Sequence, residues 1–121
     1  MNLRTDKISS FTVGDKTILR DEPGYLVNPV DWDDEICKVI AAEEGIELTD
    51  DHWAIIRFMR SYQEEHGVSP DARFVFNELA KRKSLNKTAA REQFFELFPY
   101  GYVKQACKIA GMMQPRAWST G

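Results

Sequence analysis

The sequence is poor in cysteine and has no long apolar run. Only two of its 121 residues are cysteine, Cys37 and Cys107, and they do not form a CxxC pair. Two cysteines are too few for a disulfide-stabilised scaffold, so a reducing, cytoplasmic setting is expected. No apolar stretch is long enough to span a bilayer, and the first ten residues lack the apolar segment of a secretory signal. Membrane and secreted classes are therefore not expected.

Motifs of common enzyme and metal sites are also missing. We find no phosphate-binding loop, no HExxH, no GxSxG and no GxGxxG. The two histidines, His52 and His66, have no further histidine or carboxylate cluster at metal-ligand spacing, so structural roles are expected for both. These absences predict a protein without a metal or a cofactor, and they argue against a self-contained enzyme.

The chain does contain enough apolar residues for one core, and its charge is uneven. At 121 residues with 43% hydrophobic residues, a single domain spanning 1–121 is expected. Residues 1–60 carry 7 Lys and Arg against 13 Asp and Glu, whereas residues 61–121 carry 9 against 6. This basic bias indicates either a solvated face or a surface for an acidic partner or nucleic acid. The basic bias of residues 61–121 is centred on Lys81, Arg82, Lys83, Lys87, Arg91, Lys104, Lys108 and Arg116.

Apolar spacing and capping residues predict a mostly α fold, a bundle of about five helices with a small N-terminal β-hairpin and a C-terminal arm. Gly14-Asp15 suits a type II′ turn between two strands, and a short third strand is expected at 25–27. We divide the chain into a frayed terminus (1–10), a hairpin region (11–27), a helical body (32–111) and an arm (112–121). The predicted helices are 32–44, 50–66, 70–82, 87–98 and 102–110.

The predicted helix ends and faces depend on a few residues. Thr49 is the expected N-cap of the second helix, with Arg57 and Arg60 on its exposed edge. Ser69 as N-cap and Pro70 at the first helical position are expected to open the third helix. Its inward face is predicted to be Phe74, Val75, Glu78 and Leu79. Cys37, beside the apolar stripe of the first helix, is expected to be a buried structural thiol.

Cys107 lies on the apolar face of the last predicted helix, together with Val103, Ala106 and Ala110. Lys104 and Lys108 are three residues before it and one after it, and nearby cations lower a thiol pKa. The same spacing fits a small apolar residue that packs inward. Burial and the two lysines would move the pKa in opposite directions, so the pattern alone leaves both interpretations open.

Four motifs lie along the chain. They read GYLVNP then DW at 24–32, EEGIELT then HW at 43–53, GVSP then R at 67–73, and FPYGYVKQACKIAG at 98–111, before a Pro-bearing tail. Together these motifs resemble the DsrC/TusE family, which includes the gamma subunit of dissimilatory sulfite reductase and the sulfur-relay protein of tRNA thiolation. The resemblance extends over about residues 11–115.

The resemblance implies a cytoplasmic sulfur-relay protein whose partners are a dissimilatory sulfite reductase or sulfurtransferase relay proteins. It implies that Cys107 is a persulfide acceptor, with Lys104 and Lys108 in the thiolate environment. Family members active in sulfur transfer also carry a tail cysteine, which would fall at position 118. Trp118 stands there instead, so the disulfide between tail and helix implied for two-cysteine members has no second thiol here.

Two alternatives remain open. The protein could keep the fold and act as a non-catalytic regulatory or docking homologue, with Met112, Met113, Pro115 and Trp118 of the arm, together with Arg116, as partner contacts. The third and fourth helices, joined by a short turn with a basic end, also resemble a helix-turn-helix layout, which makes duplex DNA an alternative partner.

Overall fold

The computed structural model describes residues 7–113, and over them the chain is mostly helical. The predicted fold, five helices with one N-terminal hairpin, is confirmed. In chain order the elements are β1 (Ser9–Val13), β2 (Lys16–Arg20), a 3₁₀ turn (Pro29–Asp31), α1 (Asp34–Glu43), α2 (Asp50–His66), α3 (Ala72–Lys83), α4 (Lys87–Leu97), a π-helical turn (Tyr102–Ala106) and α5 (Cys107–Ile109).

The hairpin is longer at its start and shorter at its end than predicted. Gly14 has a φ of 61° and Asp15 has a negative φ, as a type II′ turn requires. Ser9 pairs with Arg20, so the strand begins inside the segment predicted to be frayed. The expected third strand is wrong and reduces to one bridge between Arg20 and Leu26. Asp21 explains this difference, because its carboxylate accepts the backbone N–H groups of the two residues before Leu26 and turns the chain there.

One apolar core lies between the helices and the inner face of the hairpin. The buried residues of α2 recur on one face, and they belong to one cluster with buried residues from every other helix and from β2. Cys37 is fully buried there, as expected for a structural thiol. The largest fully buried side chains of the core are Ile18, Leu26, Ile36, Ile40, Ile55, Ile56, Met59, Leu79, Phe94, Phe98, Ile109 and Met112.

The ends of α2 and the start of α3 follow local capping, but one cap differs from the prediction. Thr49 caps α2 as predicted, and Gly67, with a φ of 77°, ends that helix. The start of α3 differs from the prediction, because the N-cap is Asp71 and not Ser69. The Asp71 carboxylate accepts the backbone N–H of Arg73 at 2.9 Å, while the Pro70 carbonyl accepts the Tyr102 hydroxyl from across the molecule. These two bonds keep Pro70 outside the helix.

The inward face of α3 is narrower than predicted. Val75 and Leu79 are buried, and Glu78 is only partly covered. Phe74 was expected inside but is 42% exposed, and its ring lies 5.9 Å from that of Tyr62 at the edge of α2. The helix packs mainly against α2 and α4, so a side chain of α3 that points past both helices remains at the surface.

Candidate functional site around Cys107

Cys107 begins α5 at the end of a π-helical turn. The prediction of a helix over 102–110 is right in extent, but the first five residues, Tyr102–Ala106, are π-helical. The backbone N–H of Cys107 therefore donates to the carbonyl of Tyr102, five residues earlier, and not to that of Val103. Single π-helical turns inside helices occur frequently at functional sites.

The end of α5 is closed by Gly111, as predicted. Gly111 has a φ of 76°, and its N–H donates to the Lys108 carbonyl at 3.1 Å. The Met112 N–H donates to the Cys107 carbonyl at 2.9 Å, which completes a Schellman motif. Met112, which was assigned to the arm from the sequence, is buried in the core. Met113 is 57% exposed.

Two side chains from other elements bind the remaining carbonyls at this end. The Trp32 indole N–H donates to the Ile109 carbonyl at 2.9 Å. Arg60 donates to the Ala110 carbonyl at 3.1 Å and to the Pro29 carbonyl at 3.0 Å, and its guanidinium lies 4.4 Å from the centre of the Trp32 ring. The prediction of Arg60 at an exposed edge is thus wrong, because the Trp32 ring and these two carbonyls lie against its guanidinium, whereas Arg57 is exposed as expected. We call Trp32, Arg60 and Gly111 the arm-root clamp.

The Cys107 thiol itself is enclosed. Its exposed fraction is 0%. Burial raises its pKa from 9.0 to about 12, because the core does not solvate a thiolate. Among the described residues, only the nearby Tyr102 hydroxyl opposes this rise in pKa, because a hydroxyl can donate to a thiolate. In this state Cys107 is a protonated, unreactive thiol.

The two lysines near Cys107 in sequence do not lie against the thiol as an anion-stabilising pair. Lys104 is exposed. Lys108 pairs with Glu44 at 3.4 Å, and its ammonium lies 5.4 Å from the centre of the Tyr25 ring. Burial therefore outweighs the lysines, which settles the direction of the thiol pKa that the sequence pattern left open.

Tyr25 and Tyr102 are the site residues that reasoning from the sequence missed. The Tyr25 hydroxyl donates to the Val103 carbonyl at 2.7 Å, and burial raises the pKa of Tyr25 to about 12, with smaller contributions from Cys107, Asp21 and Glu44. Tyr102 carries the hydroxyl that contacts Cys107. Tyr25 lies within the first quoted motif, but no spacing rule connects it with a residue 78 positions later.

Arg116 and Trp118, the predicted arm residues, lie outside the described residues. Their assignment to partner contacts therefore stays a prediction, as does the extent of the arm beyond Met113. Pro115 lies in the same segment.

His52 has the structural role that was expected. Its Nδ1 accepts the backbone N–H of Thr49 at 3.1 Å, so Nε2 carries the proton and donates to the Leu97 carbonyl at 2.7 Å. The ring thus joins the start of α2 to the end of α4. No group of three His, Cys, Asp or Glu within residues 7–113 is arranged to hold a metal ion.

The basic cluster on α3 is partly neutralised. Arg82 and Lys83 both pair with Asp51 of α2, at 2.9 Å and 2.8 Å. These pairs hold the end of α3 against α2, and they reduce the positive charge available to a nucleic-acid backbone. No helix in the described part of the chain combines the length and apolar character needed to cross a membrane.

Comparison with known proteins places this arrangement in a family. The family model described as "DsrC like protein" matches residues 12–117. The chain belongs to the DsrC-like family. The sulfurtransferase TusE of Yersinia pseudotuberculosis is 40% identical over 95 residues, which is 78% of this chain and 87% of that protein.

Solved structures of the family share the fold. The oxidised gamma subunit of the dissimilatory sulfite reductase (DsrC) from Archaeoglobus fulgidus matches with a TM-score of 0.80 and 34% identity, over 90% of this chain and 98% of that one. DsrC of Allochromatium vinosum matches with a TM-score of 0.78 and 36% identity, over 92% and 98%. The resemblance seen in the four motifs, and with it a sulfur-relay protein of the DsrC and TusE type, is confirmed. The docking and DNA-binding alternatives gain no support from these relatives.

Proposed function

We propose that this protein works in sulfur relay in the cytoplasm and that Cys107 is the thiol that accepts sulfur. The observation that carries the proposal is the position of Cys107, which is the family-matched thiol, on a short helix whose end is held by the arm-root clamp. Cys37, the other thiol, lies in α1 within the core and outside the quoted motifs.

The reaction is an exchange between a persulfide and a thiolate. Cys107 first loses its proton, and its sulfur then attacks the outer sulfur of a donor cysteine persulfide. The Cys107–sulfur bond forms as the donor sulfur–sulfur bond breaks, and the donor cysteine leaves as a thiolate. The donor is returned to its thiol state and no external oxidant or reductant is required.

Loading requires a local opening. Cys107 is fully enclosed and its pKa is raised to about 12, so the enclosed form contains almost no thiolate at neutral pH. We infer that a partner binds a state in which the layer over Cys107 has moved aside. The unit that we infer to move is the segment from the π-helical turn to Met113, because it is short and side chains of other elements hold its end.

Sulfur donors and acceptors of two kinds fit this proposal. TusE relatives are named sulfurtransferases, and the DsrC of Archaeoglobus fulgidus is described as a subunit of dissimilatory sulfite reductase. We therefore propose sulfurtransferase relay proteins or a dissimilatory sulfite reductase as partners. In this proposal Lys104, Arg116 and Trp118 contact the partner, while Lys108 lies beside the opened thiolate after release from Glu44.

The test is the intact mass of the protein after incubation with a persulfidated sulfurtransferase. We expect a gain of one sulfur atom that a reductant removes and that maps to Cys107. Cys107→Ser should abolish the gain, whereas Cys37→Ser, the matched control, should retain it. No gain in the unmodified protein, or a gain that persists in Cys107→Ser, would overturn the proposal and direct attention to docking without sulfur chemistry.

A further inference from the structure

The π-helical turn leaves one backbone carbonyl without its helical donor. In an α-helix the Cys107 N–H would donate to the Val103 carbonyl, four residues earlier. Here that N–H reaches the Tyr102 carbonyl instead. The Val103 carbonyl accepts the Tyr25 hydroxyl at 2.7 Å, and Tyr25 is 4% exposed. The tyrosine thus replaces the donor that the helix withholds, and this stabilises the π-helical turn over the α-helical form.

The same turn sets the contact between Tyr102 and the thiol. These residues are five apart, and an α-helix, with 3.6 residues per turn, would separate their side chains by about 140° around the axis. The wider π-helical turn brings them onto one face, with the Tyr102 hydroxyl near Cys107. That hydroxyl donates to the Pro70 carbonyl at the entrance to α3. Relaxation of the turn to α-helix would turn Tyr102 away from Cys107.

Tyr25 is in turn covered by charged residues. The Lys108 ammonium lies over its ring, and Lys108 is paired with Glu44, which also accepts from Gln105 at 3.3 Å. The side chains of Lys108 and Glu44 are only 17% and 18% exposed. These contacts form a continuous path from the surface to the backbone that carries Cys107. The path runs from the ion pair of Lys108 and Glu44 to the Tyr25 ring, and from the Tyr25 hydroxyl to the Val103 carbonyl.

We propose that Tyr25 is the positioning residue that keeps Cys107 enclosed, and that release of its hydroxyl from Val103 exposes the thiol. The role of this exposure in sulfur loading rests on the proposed function. The control of thiol exposure by Tyr25 does not rest on the proposed function, because exposure can be measured with a small electrophile in the absence of any sulfur donor.

The experiment measures the alkylation rate of Cys107 by iodoacetamide in a Cys37→Ala background, so that one thiol reports. Tyr25→Phe removes the hydroxyl and keeps the ring. We expect it to raise the alkylation rate at neutral pH by about tenfold, as loss of one hydrogen bond shifts an opening equilibrium. Tyr100→Phe is the matched control, because Tyr100 is 70% exposed, and it should leave the rate unchanged.

A second measurement separates this role from general destabilisation. Hydrogen exchange of the buried α2 amides, such as those of Ile55 and Ile56, reports global opening. We expect their exchange to rise much less than the alkylation rate in Tyr25→Phe. Equal rises in both, or an alkylation rate no higher than in Tyr100→Phe, would overturn the proposal. Lys108→Met, which removes the cation over the ring, should raise the alkylation rate by a smaller factor than Tyr25→Phe does.

Sulfur loading then distinguishes the two proposals. A Tyr25→Phe protein that alkylates faster but never gains sulfur from a persulfidated sulfurtransferase would overturn the relay role of Cys107 and leave the positioning role intact. The opposite result is sulfur gained at Cys107 together with equal alkylation rates in Tyr25→Phe and Tyr100→Phe. That result would overturn the positioning role of Tyr25 and leave the relay role of Cys107 intact.

Discussion

At Gly111 the backbone passes so close to Trp32 that no side chain fits between them. A Cβ built on Gly111 would lie 2.3 Å from Cδ1 of Trp32 and 2.8 Å from its Cβ. The residue also has a φ of 76°, which L side chains rarely adopt. Trp32 cannot move away easily, because its indole N–H is bonded to the Ile109 carbonyl and its ring lies against Arg60.

Gly111→Ala should therefore lower the free energy of unfolding by about 2–4 kcal/mol, because steric overlap adds to backbone strain. Chemical denaturation measures the change. Gly45→Ala is the control, since Gly45 has a similar φ of 74° but open space around its Cβ position. Strain alone should cost about 1–2 kcal/mol there. Equal losses for the two variants would mean that the contact with Trp32 adds nothing.

Between elements, Arg60 of α2 joins the end of α5 to the 3₁₀ turn. It is half-buried and donates to the Ala110 carbonyl, which has no other donor among the described bonds, and to the Pro29 carbonyl, which also accepts the Trp32 backbone N–H. Arg57, one turn earlier on α2, is exposed and pairs with Asp34 at 2.8 Å. The two arginines differ in burial and in what they bind, so they form a matched pair.

Arg60→Met should lower the free energy of unfolding by about 2–3 kcal/mol, because the Ala110 carbonyl loses its donor, the Pro29 carbonyl loses one of two donors and the cation over the Trp32 ring is removed. Arg57→Met should cost less than about 1 kcal/mol, as an exposed ion pair contributes little. Denaturation gives both values, and hydrogen exchange of the Gly111 and Met112 amides should accelerate only in Arg60→Met. Similar stability losses, with unchanged exchange at these two amides, would contradict a clamp at the arm root.

For the whole molecule, the two buried thiols make stability fall at alkaline pH. Burial is the main cause that raises the pKa of both Cys37 and Cys107 from 9.0 to about 12. Well below pH 9 both thiols are protonated in the folded and unfolded states, so the thiols do not change the free energy of unfolding with pH there. Between pH 9 and 12 the unfolded chain loses these protons first, and the free energy of unfolding falls.

We expect a loss of about 1.4 kcal/mol per thiol between pH 7.5 and pH 10, measured by urea denaturation at each pH. Cys37→Ala should lose about half of this pH dependence, whatever it does to stability at neutral pH. The comparison is made between variants at the same pH, so that lysine and tyrosine titration cancels. A pH dependence that is the same with and without Cys37 would show that the thiols do not titrate as their burial requires.

Much of the fold was predictable because its signals are local. Thr49 and Gly67 mark the ends of α2, Gly14 marks the hairpin turn, and Gly111 marks the end of α5, since each acts on backbone groups a few residues away. The family was predictable for a related reason, because its motifs are long and lie at these same junctions. The start of α3 was not decided by local signals, because two possible N-caps, Ser69 and Asp71, lie only two residues apart.

The sequence by itself determined the family, the helical class, the position of Cys107 on an inward face and the absence of a cysteine at position 118. Only the tertiary structure decided that Cys107 is enclosed and protonated, that Lys108 binds Glu44, and that Tyr25 holds the π-helical turn. The physical reason is sequence separation. The Trp32 and Tyr25 side chains reach carbonyls 77 and 78 residues away. The desolvation that sets a thiol pKa comes from all the elements packed around it, which no local pattern contains.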